Sequence, residues 1–158
     1  MKLTGARLFA SPPDAPVLED GGKSDFRFGG DSNFSFAPVK VDKILKNGEI
    51  IELGGAALTT LFTFGHTKGA TSWKMDVTEN KRKYTVVFAS SLTTLDYALV
   101  DNPKYPNVAA DFANSFATLK KIGDRVQIKM GENWLDATVT DVEGQRVRAK
   151  VAAGIESW

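Results

Sequence analysis

The sequence predicts an α+β fold that is mostly β-sheet with flanking helices, followed by a small antiparallel β-barrel-like tail. Short runs of alternating apolar and polar residues, separated by glycine turns, fill residues 39–89, as expected for antiparallel strands. One amphipathic helix is expected over residues 108–122, and short alternating runs resume after Gly123. We therefore predict two domains, residues 1–122 and residues 123–158.

The first domain is expected to begin with a strand and a short helix. The apolar run at residues 6–10 predicts a buried strand, and Ser11 is expected to cap the helix that follows. Gly21 and Gly22 are expected to end this helix. Phenylalanines then alternate with polar residues between Lys23 and Pro38, which predicts either two half-buried strands or a loop that aromatic rings hold in place. These rings belong to Phe26, Phe28, Phe34 and Phe36.

The next stretch of the chain alternates between strands and turns. Asn47-Gly48 is a strong hairpin signal, and it predicts that residues 39–45 pair with a return strand at residues 49–53. The charged residues 79–83 predict a solvated turn. The continuous apolar run at residues 84–89 predicts a central strand that is buried on both faces.

Composition excludes several classes of protein. The chain has 158 residues, of which 42 % are hydrophobic and 25 % charged, as in ordinary globular domains. Its net charge of +1 gives no general attraction to nucleic acid or to an anionic membrane. The absence of cysteine excludes disulfides and thiolate metal sites. Because no signal peptide and no transmembrane segment is visible, we expect a soluble chain and leave its compartment open.

His66 is the only histidine, and it lies in a glycine-rich turn between two strand-like runs. A catalytic zinc site needs about three protein ligands and an open position for water. His66 can supply one ligand, and the sequence contains neither a His-x-His pair nor a His-Glu-x-x-His helix. The residues alone therefore favour a turn histidine that is hydrogen-bonded to the backbone over a zinc ligand.

Serine chemistry and a basic tail offer two further hypotheses. Ser90 or Ser91 could join His66 and an aspartate, but no Gly-x-Ser-x-Gly elbow is present. In the tail, basic residues near an aromatic side chain could form a binding face for peptide or nucleic acid. The alternative is a barrel core with solvated charges around it. The candidate binding residues are Arg125, Trp134, Arg148 and Lys150.

The histidine turn and its surroundings resemble a known family. Gly65-His66-Thr67-Lys68-Gly69 resembles the Gly-His-Thr-x-Gly segment of metallo-β-lactamase-fold proteins, most closely those of the third subclass. The similarity covers about residues 3–122, with matching blocks at residues 5–19, 89–93 and 102–119. It implies part of a four-layer αββα sandwich. The family uses two zinc ions and a zinc-held hydroxide to hydrolyse the amide-like bond of β-lactams.

The resemblance also assigns roles to individual residues. His66 matches a ligand of the first zinc, while Ser91 and Thr93 match positions that hold water and the substrate carboxylate. The family's His-x-His-x-Asp-His motif is absent, and Phe64 stands where a proline is usual. The tail occupies the place of the last metal histidine, and residues 123–158 resemble a Tudor-like small barrel. The resemblance therefore implies a hydrolase fold that has lost most of its zinc ligands.

These observations lead to one main hypothesis and two alternatives. The main hypothesis is a non-catalytic scaffold or interaction subunit without a cofactor, whose exposed sheet is covered by a protein partner or a second copy. The first alternative is a zinc-dependent hydrolase that another chain completes, which stoichiometric zinc would reveal. The second is a module that binds peptide or nucleic acid through the tail, which salt-dependent binding would reveal.

Overall fold

The computed structural model describes residues 4–94 and 96–122, together with the backbone of three strands in the tail. The chain divides into two compact units, Met1–Ser115 and Phe116–Trp158. The first unit ends within the second helix, and the predicted domain boundary near residue 122 stays a prediction. None of the described helices has both the length and the apolar character that crossing a bilayer requires.

The first unit begins with strand β1 (Phe9–Ala10) and helix α1 (Asp14–Glu19). β1 pairs in parallel with the short strand β2 (Lys43–Ile44). Pro13 directly precedes α1, and the predicted capping contact from Ser11 is present: its hydroxyl oxygen accepts from the Asp14 N–H at 3.4 Å and its carbonyl accepts from the Ala15 N–H at 3.0 Å. The Ser11 hydroxyl also donates a hydrogen bond to the Gly69 carbonyl at 2.8 Å, and this contact ties the start of the helix to the histidine turn.

Aromatic rings hold the long loop between α1 and β2. The structure describes all of residues 23–38 and places no strand there, only a 3₁₀ turn at Ser32–Phe34. Phe28 and Phe34 stack with their ring centroids 4.2 Å apart. The Phe26 ring packs edge-on against two tyrosines from a later loop, and this contact fastens the loop to the site. The tyrosines are Tyr97, at 5.7 Å, and Tyr105, at 5.2 Å.

Four antiparallel strands form the main sheet, in the order β3-β4-β5-β6. The predicted hairpin at Asn47-Gly48 is wrong, because β3 pairs with β4 and not with β2. The turn is bonded to β4 instead. The Gly48 N–H donates to the Thr60 carbonyl, and the Asn47 side-chain oxygen accepts from the Phe62 N–H, both at 2.8 Å. The strands are β3 (Ile50–Leu53), β4 (Ala56–Phe62), β5 (Thr71–Glu79) and β6 (Arg82–Phe88).

The predicted central strand is an edge strand among the described residues. β6 pairs only with β5 there, and Tyr84 and Phe88 on it are 38 % and 49 % exposed. An apolar run indicates a strand whose side chains are at least partly buried, but it does not indicate how many other strands pair with that strand. The charged turn is confirmed, since Asn80 and Lys81 join β5 to β6 with positive φ angles, as hairpin turns prefer.

The register of the main sheet separates an apolar face from a more polar one. Trp73 stands opposite Thr60 on β4 and opposite Phe88 on β6. Directly opposed residues share a face, and alternate residues along a strand do so too. The opposite face carries Lys74, Asp76 and Thr78 along β5. We call the first surface the apolar face, and its large side chains are Ile51, Leu53, Leu58, Phe62, Trp73, Met75, Val77, Tyr84, Val86 and Phe88.

Helix α2 spans Val108–Lys120, which confirms the predicted helix. Val108 and Phe112 are buried, as their helical spacing predicts. In the tail, strands β7, β8 and β9 form an open antiparallel sheet in that order, and the described strands do not close into the predicted barrel. These strands are β7 (Arg125–Met130), β8 (Asn133–Glu143) and β9 (Arg146–Val151). The described architecture is thus a mixture of sheets and few helices, consistent with part of the predicted sandwich.

Candidate functional site

The histidine turn joins β4 to β5 and is closed by backbone hydrogen bonds. The Thr63 N–H donates to the Ala70 carbonyl, and the Gly65 N–H donates to the Thr67 carbonyl, both at 3.0 Å. Gly65 is buried and has a φ of 137°, a conformation that favours glycine. A Cβ atom at this position would lie 2.7 Å from the Phe112 ring. The turn therefore requires glycine at residue 65 for both backbone and packing reasons.

The three site residues that the resemblance implied come together at this turn. His66 Nδ1 lies 2.7 Å from the Thr93 carbonyl oxygen, and Ser91 Oγ lies 2.9 Å from Thr93 Oγ1. Because a carbonyl oxygen can only accept, Nδ1 carries the proton in this hydrogen bond. The other ring nitrogen, Nε2, is then the one that can accept a proton or bind a metal. The same bond suits either predicted role of the histidine, a turn residue or a single zinc ligand.

Three hydroxyl groups that the sequence did not single out hold the turn from the other side. The Tyr97 hydroxyl donates to the Gly65 carbonyl at 2.6 Å and lies 3.0 Å from the His66 carbonyl. The Ser115 hydroxyl donates to the Phe64 carbonyl at 2.6 Å. The Tyr105 hydroxyl lies 3.4 Å from the Thr67 carbonyl of the turn and donates to the Asp111 carboxylate at 2.8 Å. Burial raises the pKa of Tyr97, and burial together with Asp111 raises that of Tyr105, so both stay protonated donors.

Ser90 belongs to a buried hydroxyl cluster and not to a nucleophilic site. Its Oγ lies 2.8 Å from Thr63 Oγ1, which also bonds Ser72 Oγ at 2.7 Å. Thr63 and Ser72 are fully buried. No hydrogen bond between described residues joins His66 to either Ser90 or Ser91. The Ser-His-Asp arrangement considered from the sequence is therefore not formed in the described part of the chain.

A carboxyl group packs under the turn. The Asp14 carboxyl lies against Gly69, where a side chain of any kind would collide with it. Burial raises the pKa of Asp14, and the nearby Asp25 adds to this shift. Ser11 fills the remaining space through its bond to the Gly69 carbonyl. Gly69 is thus needed for close approach between the turn and the start of α1, a function that its place in the sequence motif did not reveal.

The donor set does not fit the two-zinc site that the resemblance implies. Within the described residues there is no group of three or more histidine, cysteine, aspartate or glutamate side chains able to hold a metal ion. The chain contains one histidine and no cysteine. Zinc sites built by a protein use about three or four such ligands. His66 on its own can contribute one of them.

The backbone of the tail sheet places the four candidate binding residues at related positions. Thr138 on β8 stands opposite Arg125 on β7 and opposite Lys150 on β9. Trp134 is four residues before Thr138 on β8, and Arg148 is two residues before Lys150 on β9. Since alternate positions share a face, all four fall on one face of the sheet. Their side chains lie outside the described part of the structure, so the binding role stays a prediction.

Comparison with known proteins gives a family match in the C-terminal part of the chain and structural matches over most of the chain. Residues 116–156 match the family model of the ProQ C-terminal domain. The Tudor-like barrel predicted for the tail stays a prediction.

Most of the chain is similar to solved metallo-β-lactamases. FEZ-1 from Legionella gormanii is 38 % identical with a TM-score of 0.75, over 83 % of this chain and 50 % of that one. GOB-18 from Elizabethkingia meningoseptica is 36 % identical with a TM-score of 0.69, over 79 % and 47 %. The class B3 di-zinc enzyme LRA-12 from an Alaskan soil metagenome is 35 % identical with a TM-score of 0.71, over 79 % and 48 %.

These similarities support a metallo-β-lactamase-type fold for the matched part of the chain. Within that superfamily, the similar structures are class B3 enzymes, the third subclass. The chain spans about half the length of the solved structures that it matches. The resemblance seen at the histidine turn therefore extends to the fold.

Proposed function

We propose that this chain is a non-catalytic interaction subunit derived from a metallo-β-lactamase-fold hydrolase. The observation that carries the proposal is the apolar face of the main sheet. Leu53 on this face is 80 % exposed and Phe88 is 49 % exposed. Contiguous exposed apolar surface on a soluble protein marks an interaction site, because leaving it in water forgoes about 25 cal/mol for each Å².

A second copy of the chain is the proposed partner for this face. The resemblance implies two sheets packed face to face, whereas the described first unit offers one four-stranded sheet for such a contact. Two copies related by a two-fold axis would bring two apolar faces together at the usual sheet spacing of about 10 Å.

The non-catalytic part of the proposal rests on the donor set. A zinc hydrolase holds its metal with about three side chains and keeps a position open for water. His66 provides one nitrogen, and its other ring nitrogen is committed to the Thr93 carbonyl. The site keeps the geometry of its turn without the side chains that the chemistry needs.

Oligomeric state and metal content test the proposal together. We expect native mass spectrometry to find a metal-free dimer. Phe88→Lys on the apolar face should raise the dimer dissociation constant about a hundredfold, because a buried aromatic anchor contributes strongly to an interface. Thr78→Lys, on the opposite face of β5, is the matched control and should leave the dimer intact. A wild-type monomer would contradict the proposed partner. One or two zinc ions per chain, lost in His66→Gln, would favour the hydrolase alternative.

The tail supports a second candidate function, the binding of single-stranded nucleic acid. The observation that favours it is the register that places Arg125, Trp134, Arg148 and Lys150 on one face of the tail sheet. An aromatic ring among basic residues suits stacked bases and phosphates. Fluorescence anisotropy with a labelled oligonucleotide tests it. Lys150→Gln should lower the salt slope by about 0.7, whereas Lys40→Gln in the first unit should not change it. Equal slopes for these two variants would overturn this candidate.

A further inference from the structure

Asn47-Gly48 is the one Asn-Gly pair in the chain, and such a pair is prone to deamidation. Glycine has no side chain to shield its backbone nitrogen from the amide that precedes it. In deamidation, the Gly48 nitrogen loses its proton and attacks Asn47 Cγ, and the side-chain Nδ2 leaves as ammonia. Water then opens the resulting succinimide ring and yields aspartate or isoaspartate. The sequence therefore places a chemically reactive pair in the turn before β3.

The pair is accessible, so its surroundings do not block this reaction. Asn47 and Gly48 are both exposed, and water reaches them. A Cβ atom added at Gly48 would have no described atom within 4 Å, so there is room for the side chain and the backbone nitrogen to approach each other. The hydrogen bonds of the two residues therefore decide whether the ring can close.

Both reacting groups are hydrogen-bonded to β4. The Gly48 N–H donates to the Thr60 carbonyl at 2.8 Å, and this bond holds the proton that the nitrogen has to lose. Asn47 Oδ1 accepts from the Phe62 N–H at 2.8 Å, and this bond fixes the side chain whose Cγ has to meet the nitrogen. Ring closure disrupts both bonds, so the turn has to open away from β4 first.

Glu49 braces the same turn through its amide, its carboxylate and its carbonyl. The Glu49 N–H donates to the Lys46 carbonyl at 3.1 Å, and Glu49 Oε2 accepts from the Lys46 N–H at 3.0 Å. The Glu49 carbonyl accepts from the Thr60 N–H at 2.8 Å. Because local opening has to break these bonds, the open form is a minor state of the folded chain. A reaction that needs the open form is slowed in proportion.

We propose that Asn47-Gly48 is a deamidation site that the hydrogen bonds to β4 keep unreactive in the folded chain, and that isoaspartate at this position weakens the end of β4. Isoaspartate adds a methylene group to the main chain and removes it from the side chain, so the contacts to Thr60 and Phe62 lose their matched spacing. Phe62 directly precedes Thr63, whose N–H helps to close the histidine turn. The proposal does not depend on the dimer or on a metal.

Peptide mapping by mass spectrometry tests the protection. The full chain is incubated at mildly alkaline pH, folded or in urea, and the conversion of Asn47 is followed with time. We expect conversion to be at least about tenfold slower in the folded chain, because the open form is rare there. Asn33 is the control within the chain, since the bulky Phe34 follows it, and it should react slowly under both conditions. Equal rates for Asn47 in the folded and unfolded chain would overturn the proposal.

Two variants of Glu49 locate the source of the protection. Glu49→Ala removes the side-chain acceptor of the Lys46 N–H, so deamidation of the folded chain should be about threefold faster. Glu49→Gln keeps an oxygen acceptor and should react at nearly the wild-type rate. In urea all three proteins should react equally fast, which shows that the chemistry of the pair itself is unchanged. A wild-type rate for folded Glu49→Ala would contradict the proposal.

The consequence of the modification is measured against Asn47→Asp, which keeps the oxygen that accepts from the Phe62 N–H. The isoaspartate form, separated by chromatography and refolded, should have a Tm about 5 °C below that of Asn47→Asp. Both proteins have the same mass and charge, so the comparison isolates the lengthened main chain. The same Tm for both would show that isoaspartate does not weaken β4 and would overturn that half of the proposal.

Discussion

The histidine turn and the apolar face belong to the same sheet. The described residues hold the turn in place with hydrogen bonds, whereas they leave large side chains of the apolar face exposed. The turn is held from several sides by hydrogen bonds from Tyr97, Ser115 and Ser11. The apolar face leaves Leu53 and Phe88 largely in water. The framework of the turn therefore comes from described residues, whereas the described residues leave part of the apolar face uncovered.

Under the proposed function, the turn keeps its shape although the chemistry of the family is lost. Among the described residues, the hydrogen bonds that close the turn and tie it to Tyr97, Ser115 and Ser11 are made by backbone groups and hydroxyls. None of these groups needs a metal ion for its position. The turn is thus expected to fold in the metal-free chain, and variants at the turn should report on stability rather than on metal content.

Gly65→Ala should have the largest effect on stability. The new Cβ would collide with the Phe112 ring, and the backbone keeps a positive φ. Overpacking and backbone strain together should lower the free energy of unfolding by about 3 kcal/mol, measured by urea denaturation. Gly30→Ala is the control, because Gly30 also has a positive φ but open space around it. Equal losses in the two variants would show that packing against Phe112 contributes nothing.

Thr63→Val and Thr60→Val form a second matched pair. Both threonines are fully buried, but Thr63 Oγ1 bonds Ser72 and Ser90, whereas Thr60 Oγ1 has no partner among the described residues. Removing the Thr63 hydroxyl leaves two buried groups short of a partner and should cost about 2 kcal/mol. Thr60→Val should be neutral or stabilising by thermal denaturation, and a loss as large as that of Thr63→Val would contradict this interpretation.

Local patterns predicted what depends on local physics. The helix over residues 108–122 was correctly predicted because an apolar stripe at helical spacing needs one buried side, whatever the topology. The turn at Asn80-Lys81 was also found, since charged residues between two strands mark a hairpin. The resemblance brought His66, Ser91 and Thr93 to one place, and in the structure both His66 and Ser91 are hydrogen-bonded to Thr93.

Pairing between distant segments could not be predicted in the same way. Asn47 and Gly48 do form a turn, but the Asn47 side chain and the Gly48 amide are hydrogen-bonded to β4. The predicted partner strand was therefore wrong. The apolar run at residues 84–89 did not reveal that it lies at a sheet edge. Tyr97 and Ser115 were missed because their partners are 32 and 51 residues away, and nothing in the local sequence marks such a contact.

A pair of aspartates tests the packing below the turn through the pH dependence of stability. Burial raises the pKa of Asp14, so the folded state holds its proton more tightly than the unfolded state does. Its contribution to stability therefore falls as the pH rises from 3.8 through the raised folded pKa. Asp14→Asn should remove this fall, which urea denaturation at a series of pH values would detect.

Asp20 is the control for this measurement because its shift has the opposite sign. A hydrogen bond from Ser24 lowers the pKa of Asp20, so its contribution to stability is lost as the pH falls towards the lowered value. Asp20→Asn should remove that loss at acid pH. If Asp14→Asn and the wild type showed the same pH profile, the Asp14 carboxyl would not be packed against Gly69 as described.

His66→Ala should have only a small effect on the stability of the metal-free protein. Its hydrogen bond to the Thr93 carbonyl lies at a solvent-accessible position, so removing it should cost about 0.5–1 kcal/mol. Thermal denaturation with and without added zinc then separates the two roles of the histidine. A ligand at about 100 times its Kd adds about 2.7 kcal/mol to stability, so zinc binding by the wild type would be easy to detect. We expect zinc to leave the stability of both proteins unchanged. A zinc-dependent increase that disappears in His66→Ala would mean that the turn still works as part of a metal site and would favour the hydrolase alternative.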